Sequence, residues 1–322
     1  MAAASFKKLA AKTADLALAP LALIFVPAIA LIARLAEQTP ITRGVLDRYG
    51  VAVVKHHYYN PVVFRSDLYK PLSQARALPG LDLNEAGQLA LIDQFDFAQE
   101  LEAFPQDDTG DGYFFNNNSF EAGDAEILYD MIRHFKPKRL IEIGSGHSTR
   151  IARAAILANG RETPGYACTH TCIEPYEMPW LADYGVELIR ERVELVDDAV
   201  FQSLESGDIL FIDSSHMIRP QGDVLHEFLY LLPKLKPGVL IHVHDIFTPH
   251  DYPESWVLGR RLYWNEQYLL EAFLTLNPDF EIIAAVNWLA RNHRDRLTRA
   301  TPHLIRKPAQ EPGSFWMRRV KA

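Results

Sequence analysis

From residue 121 onward, short apolar runs alternate with segments of helical periodicity. This alternation narrows the fold more than any other feature of the 322-residue chain. RLIEI (139–143), ACTHTCIE (167–174), VELIRERVEL (186–195), DILFID (208–213), VLIHVHD (239–245), FEIIAAV (280–286) and SFWMRRV (314–320) read as strands. The spacing predicts a helix over Glu121–Phe135, where Ile127, Leu128, Met131, Ile132 and Phe135 share a face. It predicts others over Ser148–Asn159 with Gly160 as the stop, over 223–232 ending near Pro233, and over 263–276. Apolar strands separated by helices need cover on both sheet faces. The expected fold is therefore α/β: a doubly wound, mostly parallel, seven-stranded Rossmann-like sheet with an N-terminal helical extension. Such sheets bind ligands beyond the carboxyl ends of their strands, near the point where strand order reverses.

The strand ends carry the chemistry. The first strand runs into Glu142-Ile143-Gly144-Ser145-Gly146-His147-Ser148-Thr149 and then a helix. Glycine lets such a turn approach a ligand closely, and the helix start offers free N–H groups and a positive dipole end. The dinucleotide pattern G-x-G-x-x-G fails here, because Thr149 stands at the third glycine position. Glu174 ends the second strand, 28 residues after Gly146. A carboxylate there can accept hydrogen bonds from both hydroxyls of a ribose, a geometry that serves NAD as well. Cys168, His170 and Cys172 alternate along this strand. Four strand steps hold the two cysteine Cα atoms ~13 Å apart, too far for a disulfide. Buried thiols in a reducing compartment are the expectation.

Asp213 closes DILFID and His216 follows it; His244 and Asp245 close VLIHVHD. Neighbouring strands would bring these four residues to one edge, where carboxylate and imidazole ligands suit magnesium, manganese, iron or zinc. His242 points the same way, one pleat deeper.

These motifs resemble the class I S-adenosylmethionine-dependent methyltransferases, whose first motif is an acidic residue followed by G-x-G at a strand-to-helix turn. The resemblance covers about 200 residues, from 121 to the C-terminus. It implies that Glu142, Gly144, Ser145 and Gly146 line the methionine part of the cofactor and that Glu174 holds its ribose. Residues 207–253 are similar to the divalent-metal-dependent O-methyltransferases of the catechol and macrolide-sugar types. That likeness implies a magnesium-like ion on Asp213, His244 and Asp245. The catechol type has an Asp-Asn pair where this chain has His244-Asp245, and a catalytic lysine where it has His216. A histidine can serve as the base instead, because its ordinary pKa of ~6.5 suits proton abstraction near neutral pH. Asp213 and His216 are the expected catalytic residues, acting on a hydroxyl of a small-molecule or saccharide acceptor. The alternatives are an NAD-dependent oxidoreductase on the same type of sheet and a non-catalytic, membrane-associated module.

Three flanking stretches are candidates for the acceptor site. They are Tyr113–Phe120, Thr248–Trp256 with Tyr263–Glu266, and the basic run Arg291–Lys307. Asp124 would complement a helix dipole.

The N-terminus is different in kind. Leu16–Ala33 holds no charge, with Lys7, Lys8 and Lys12 before it and Arg34 after it. Residues 1–50 carry six basic and three acidic residues, so the remaining chain carries −11 of the net −8. That balance argues against nucleic acid as a partner. Pro20 and Pro27 would each interrupt a helix, and no clear cleavage site follows the run. The reading is peripheral membrane contact, or contact with a partner chain, through residues 1–36, with burial in the protein's own core as the alternative. A spanning helix is at the short limit of length. With Lys7, Lys8 and Lys12 inside, it would carry the large domain outside, away from a cytosolic cofactor. The expected location is the cytoplasm, at the inner face of the membrane. Homo-oligomerisation stays open. The expected organisation is 1–45 as the apolar, basic segment, 46–120 as an accessory region, and 121–322 as the catalytic domain.

Overall fold

The computed structural model of the chain describes residues 2–35, 38–176 and 178–321. They divide into two compact units, 1–69 with 257–263, and 70–256 with 264–322.

The larger unit holds the sheet. Its strands are β1 (Arg139–Ile143), β2 (Thr169–Ile173), β3 (Glu187–Ile189), β4 (Ile209–Ile212), β5 (Leu240–Val243), β6 (Phe280–Ala285) and β7 (Phe315–Arg319). They lie in the order β3-β2-β1-β4-β5-β7-β6. The first five are parallel, and β7 inserts antiparallel between β5 and β6. The sheet is thus mostly, but not wholly, parallel, as expected. The chain turns outward from β1 to β2 and β3, then returns to β4, so the reversal falls between β1 and β4.

Both faces are buried, which explains why β4 reads as an unbroken apolar run, Ile209–Ile212. On one face Leu140, Phe211, Leu240 and Trp316 pack under helices Asp124–Phe135 and His147–Glu162. On the other, Ile141, Ile143, Leu210, Ile212, Ile241 and Val243 pack with Val224, Phe228, Leu231 and Leu270. Full burial of one such side chain contributes about 1.5–3 kcal/mol.

Several local expectations change. Gly160 sits inside helix His147–Glu162, which ends at Thr163. The third strand keeps three residues of the ten read as strand, and Val193–Leu195 turns into a 3-10 helix. The helix near 223–232 begins as an α-turn, widens over Glu227–Leu231 and tightens at Leu232–Lys234 around Pro233. The run 291–307 is helical over Val286–Asn292, Arg294–Leu297 and Pro302–Arg306. Its arginines are engaged: Arg291 with Glu311, Arg296 with Asp93, Arg299 with Asp96, Arg306 with Glu102. It is a paired buttress, not an open anion site.

Part of the region before the sheet joins this unit. Gln88 accepts a hydrogen bond from the Ala285 N–H at 2.6 Å, and Asn84 donates to the Ile282 carbonyl at 2.9 Å. Both cover β6. Arg76 donates to both carboxylate oxygens of Glu271 at 2.5 and 2.6 Å.

The smaller unit contains helix Ala2–Leu35, which runs unbroken through Pro20 and Pro27, and helix Pro40–Arg48. Met1 and Ala36, at the ends of the expected membrane-contact segment, lie outside the described residues.

Candidate active site

The turn after β1 explains the need for its first glycine. Gly144 has φ +79°, and a Cβ placed there would lie 1.9 Å from the Asp213 carbonyl oxygen. The backbones of β1 and β4 therefore close together at the reversal point, with the Asp213 N–H donating to Ile143 at 2.8 Å. Gly146 has no such constraint: its φ is −176°, and the nearest atom to an added Cβ is 3.8 Å away. Thr149, at the position of the missing third glycine, is buried and accepts from the Gly146 N–H at 3.2 Å. Its hydroxyl closes the helix start, a task glycine could not perform.

A cleft of about 260 Å³ crosses the ends of β1, β2 and β4, lined by Gly144, Glu174, Asp213, Ser214 and Ser215 among others. Glu174 thus lies in the cleft with Gly144. One of its oxygens accepts from the Tyr176 N–H at 2.9 Å. Ser145 and Gly146, expected along the cofactor, precede the helix that starts at His147, with Gly146 as its cap, and Gly144 is the member of the turn that lines the cleft. Glu142 lies elsewhere: it is fully buried within β1, where it accepts from His170 at 2.8 Å and from the Cys172 thiol at 3.4 Å. Burial, then the Glu142 charge, push the Cys172 thiol far above its ordinary pKa. Cys168 is only partly buried and unpaired with Cys172, both thiols being free.

The ends of β4 and β5 bring Asp213, His216, His244 and Asp245 together. His216 Nε2 lies 3.3 Å from Asp213 Oδ1 and 3.5 Å from Asp245 Oδ2. His244 Nδ1 lies 3.4 and 3.7 Å from the same two carboxylates. His216 and Asp245 both adopt left-handed backbone, φ +59° and +57°. Such conformations cost of order 1–3 kcal/mol and persist only where surroundings enforce them. Here the Asn265 and Glu266 N–H groups both bond the His216 carbonyl. Gly313 packs against Asp245, where a Cβ would come within 2.9 Å of its Cα.

Three further residues complete the cluster. Glu266 is buried and meets His216 Nδ1 at 2.8 Å, which fixes the ring with Nε2 facing the two aspartates. Asp124 accepts from the Gly313 and Ser314 N–H groups and lies 3.7 Å from His244 Nε2. Trp264 sits 4.3 Å from the His216 ring and 5.2 Å from Trp256, forming an aromatic wall. The stretch 263–266 was expected as a wall; the Glu266–His216 pairing was not, because 50 residues separate the two.

Burial disfavours charge on both histidines, but the surrounding carboxylates outweigh it and hold both pKa values well above the imidazole range. Burial likewise opposes ionisation of Asp213, yet His244 and His216 hold it far below the carboxylate range. Asp245 and Glu266 are pushed up, chiefly by burial. A cluster this rich in carboxylates calls for positive charge, from protonated rings or from a cation. The ligand atoms of Asp213, His216 and Asp245 all lie within 4.8 Å of one another, so the donor set and its geometry fit a divalent ion.

Two candidates fall away from the site. His242 stacks on Phe211 at 4.1 Å and meets Ser314 Oγ at 3.0 Å in the core. Asn117 is spent on its own turn: it donates to the Phe114 and Phe120 carbonyls and accepts from the Ser119 and Phe120 N–H groups. Tyr113 and Phe115 are buried core.

The family comparison falls on these same residues. The family model described as a methyltransferase domain matches residues 141–246, from β1 to just past Asp245. A protein of Archaeoglobus fulgidus, itself uncharacterized, is 29% identical over 172 residues, 48% of this chain and 74% of that one. The O-methyltransferase of Bacillus cereus, solved in complex with SAH, aligns at 15% identity over 73% of this chain and 91% of its own, with a TM-score of 0.38. The mycinamycin-pathway methyltransferase MycE, solved with Mg and SAH, aligns at 14% identity over 59% and 48%, with a TM-score of 0.30. Residues 141–246 thus match a methyltransferase domain, and they include the glycine turn and the strand ends that carry the candidate site.

Proposed function

We propose that this chain transfers the methyl group of S-adenosylmethionine to a hydroxyl oxygen of a small-molecule or saccharide acceptor, assisted by a divalent ion such as magnesium. The observation that carries the reading is the convergence of Asp213, His216, His244 and Asp245 at one end of the cofactor cleft. Gly144 and Glu174 line the cleft and would hold the cofactor. Asp213 and Asp245 would hold the ion, which when bound lowers the pKa of a coordinated hydroxyl, and His244 lies 3.4 Å from Asp213 beside them.

The chain's own residues do the rest. Glu266 holds His216 Nδ1–H, so Nε2 faces the reacting edge. The acceptor oxygen forms its bond to the methyl carbon as the carbon–sulfur bond breaks, and the hydroxyl proton passes to His216 Nε2, which is free to accept it when a bound cation rather than the ring itself supplies the positive charge the carboxylates call for. Trp264 and Trp256 wall this edge. Rigid placement of oxygen and methyl group supplies much of the rate through orientation.

The test is formation of S-adenosylhomocysteine from S-adenosylmethionine with catechol and saccharide hydroxyl acceptors, with magnesium and with chelator. Acceptor-dependent product that chelator removes and magnesium restores is expected. Calorimetric binding of NAD in preference to S-adenosylmethionine, or full activity of both Asp213→Ala and His216→Ala, would overturn the reading.

A further inference from the structure

The smaller unit holds a feature that methyl transfer does not use. An 18-residue window within Ala10–Leu35 of the first helix has a mean hydropathy of 2.6, and none of that window is buried. Leu23 is 82% exposed and Ile24 68%. An apolar surface of this extent calls for a covering other than water.

Two lipid coverings differ in what they ask of the helix. A helix lying in the plane of a membrane surface needs a polar face. From Leu16 to Ala33 every residue is Leu, Ala, Pro, Ile, Phe or Val, so no side of the helix is polar. A helix apolar on every side suits full immersion. The lengths agree. The 26 residues rise about 39 Å and the 18 uncharged ones about 27 Å, against a hydrocarbon core of ~30 Å. Lys12, Asp15 and Arg34 fall at the ends, where long side chains can reach the interface. Pro20 and Pro27, costly in a soluble helix, are common within spans.

The segment that follows fits the membrane boundary. Helix Pro40–Arg48 buries none of its residues. Ile41, Val45 and Tyr49, spaced four apart, make an exposed apolar stripe, and Arg43 and Arg48 add positive charge. Tyr58, Tyr59 and Tyr69 are also exposed. Tyrosine rings with an apolar body and a polar tip collect at headgroup depth, and basic residues favour anionic lipid.

We propose that Leu16–Ala33 spans a lipid bilayer and that residues 40–69 lie along its headgroup region. The test uses the full chain, expressed in a bacterial host and recovered in membranes. Alkaline carbonate should leave the bulk of the protein in the pellet, with its N-terminus intact by mass. The double variant Leu23→Arg, Ile24→Arg keeps good helix formers but places two charges mid-span, and should move the bulk to the soluble fraction. Its cooperative thermal unfolding should match the parent's, showing that the sheet unit is folded. Release of the unmodified chain by carbonate would overturn the proposal in favour of surface attachment. An N-terminus cut beyond Ala33 would overturn it in favour of a removed leader. Retention of the Arg variant in the pellet would overturn it as well.

Discussion

The Glu142–His170–Cys172 and Asp213–His216–Asp245 clusters are built from similar ligand types, and in each the ligand atoms lie within 4.8 Å of one another. They differ in where their residues fall along a strand. Glu142 is the fourth residue of β1 and faces Cys172 across the ladder, under helix His147–Glu162. Asp213 lies one residue beyond β4 and Asp245 two beyond β5, where the ladder has ended. The Asp213 side chain accordingly keeps 30% of its exposure, while Glu142 keeps none. Reactive residue types alone therefore do not make a site. Position past the last strand residue opens one cluster to the cleft, and position within the strand seals the other.

Five substitutions sharpen or break this contrast. The largest effect is expected for Gly144→Ala, which forces a Cβ into the Asp213 carbonyl at positive φ. Destabilisation on the order of 4 kcal/mol or more, seen as loss of the cooperative melt, should accompany loss of activity. Gly146→Ala, with open space around it, should melt like the parent. Next comes Asp213→Ala, for which turnover should fall on the order of 100-fold or more with folding intact; turnover near the parent's would remove the open cluster from the reaction. Glu266→Gln keeps an acceptor for His216 Nδ1–H but loses its charge. Roughly a 10-fold fall in kcat is expected, with cofactor affinity unchanged by calorimetry. A loss confined to thermal stability would make Glu266 a structural residue only. The smallest effect is expected at the sealed cluster. Cys172→Ala removes one buried donor and should cost about 1 kcal/mol of stability, leaving turnover unaltered. A large drop in turnover there would erase the distinction between the clusters.

Much of this was legible in the sequence, for reasons that differ by region. RLIEI became β1 residue for residue, because a parallel strand covered on both faces draws apolar side chains on each, here Leu140, Ile141 and Ile143. The extent of β3 was not legible, because VELIRERVEL has strand-like content but only Glu187–Ile189 reaches β2 to pair. The basic run at 291–307 resembled an anion site until its acidic partners at 93–102, some 200 residues away, came beside it. Asp124 looked like a dipole complement, and its bonds to Gly313 and Ser314 needed the C-terminal loop to be in place.

The sequence by itself determined the strand and helix alternation, the glycine turn and which residues fall at or just past the ends of β1, β2, β4 and β5, because these follow from local periodicity and backbone sterics. Tertiary structure alone decided that Glu142 pairs inward with His170, that Glu266 orients His216, and that Gly144 lies against Asp213. Those contacts join residues 28, 50 and 69 positions apart. Distances across a sheet depend on strand order and register, and no local pattern encodes either.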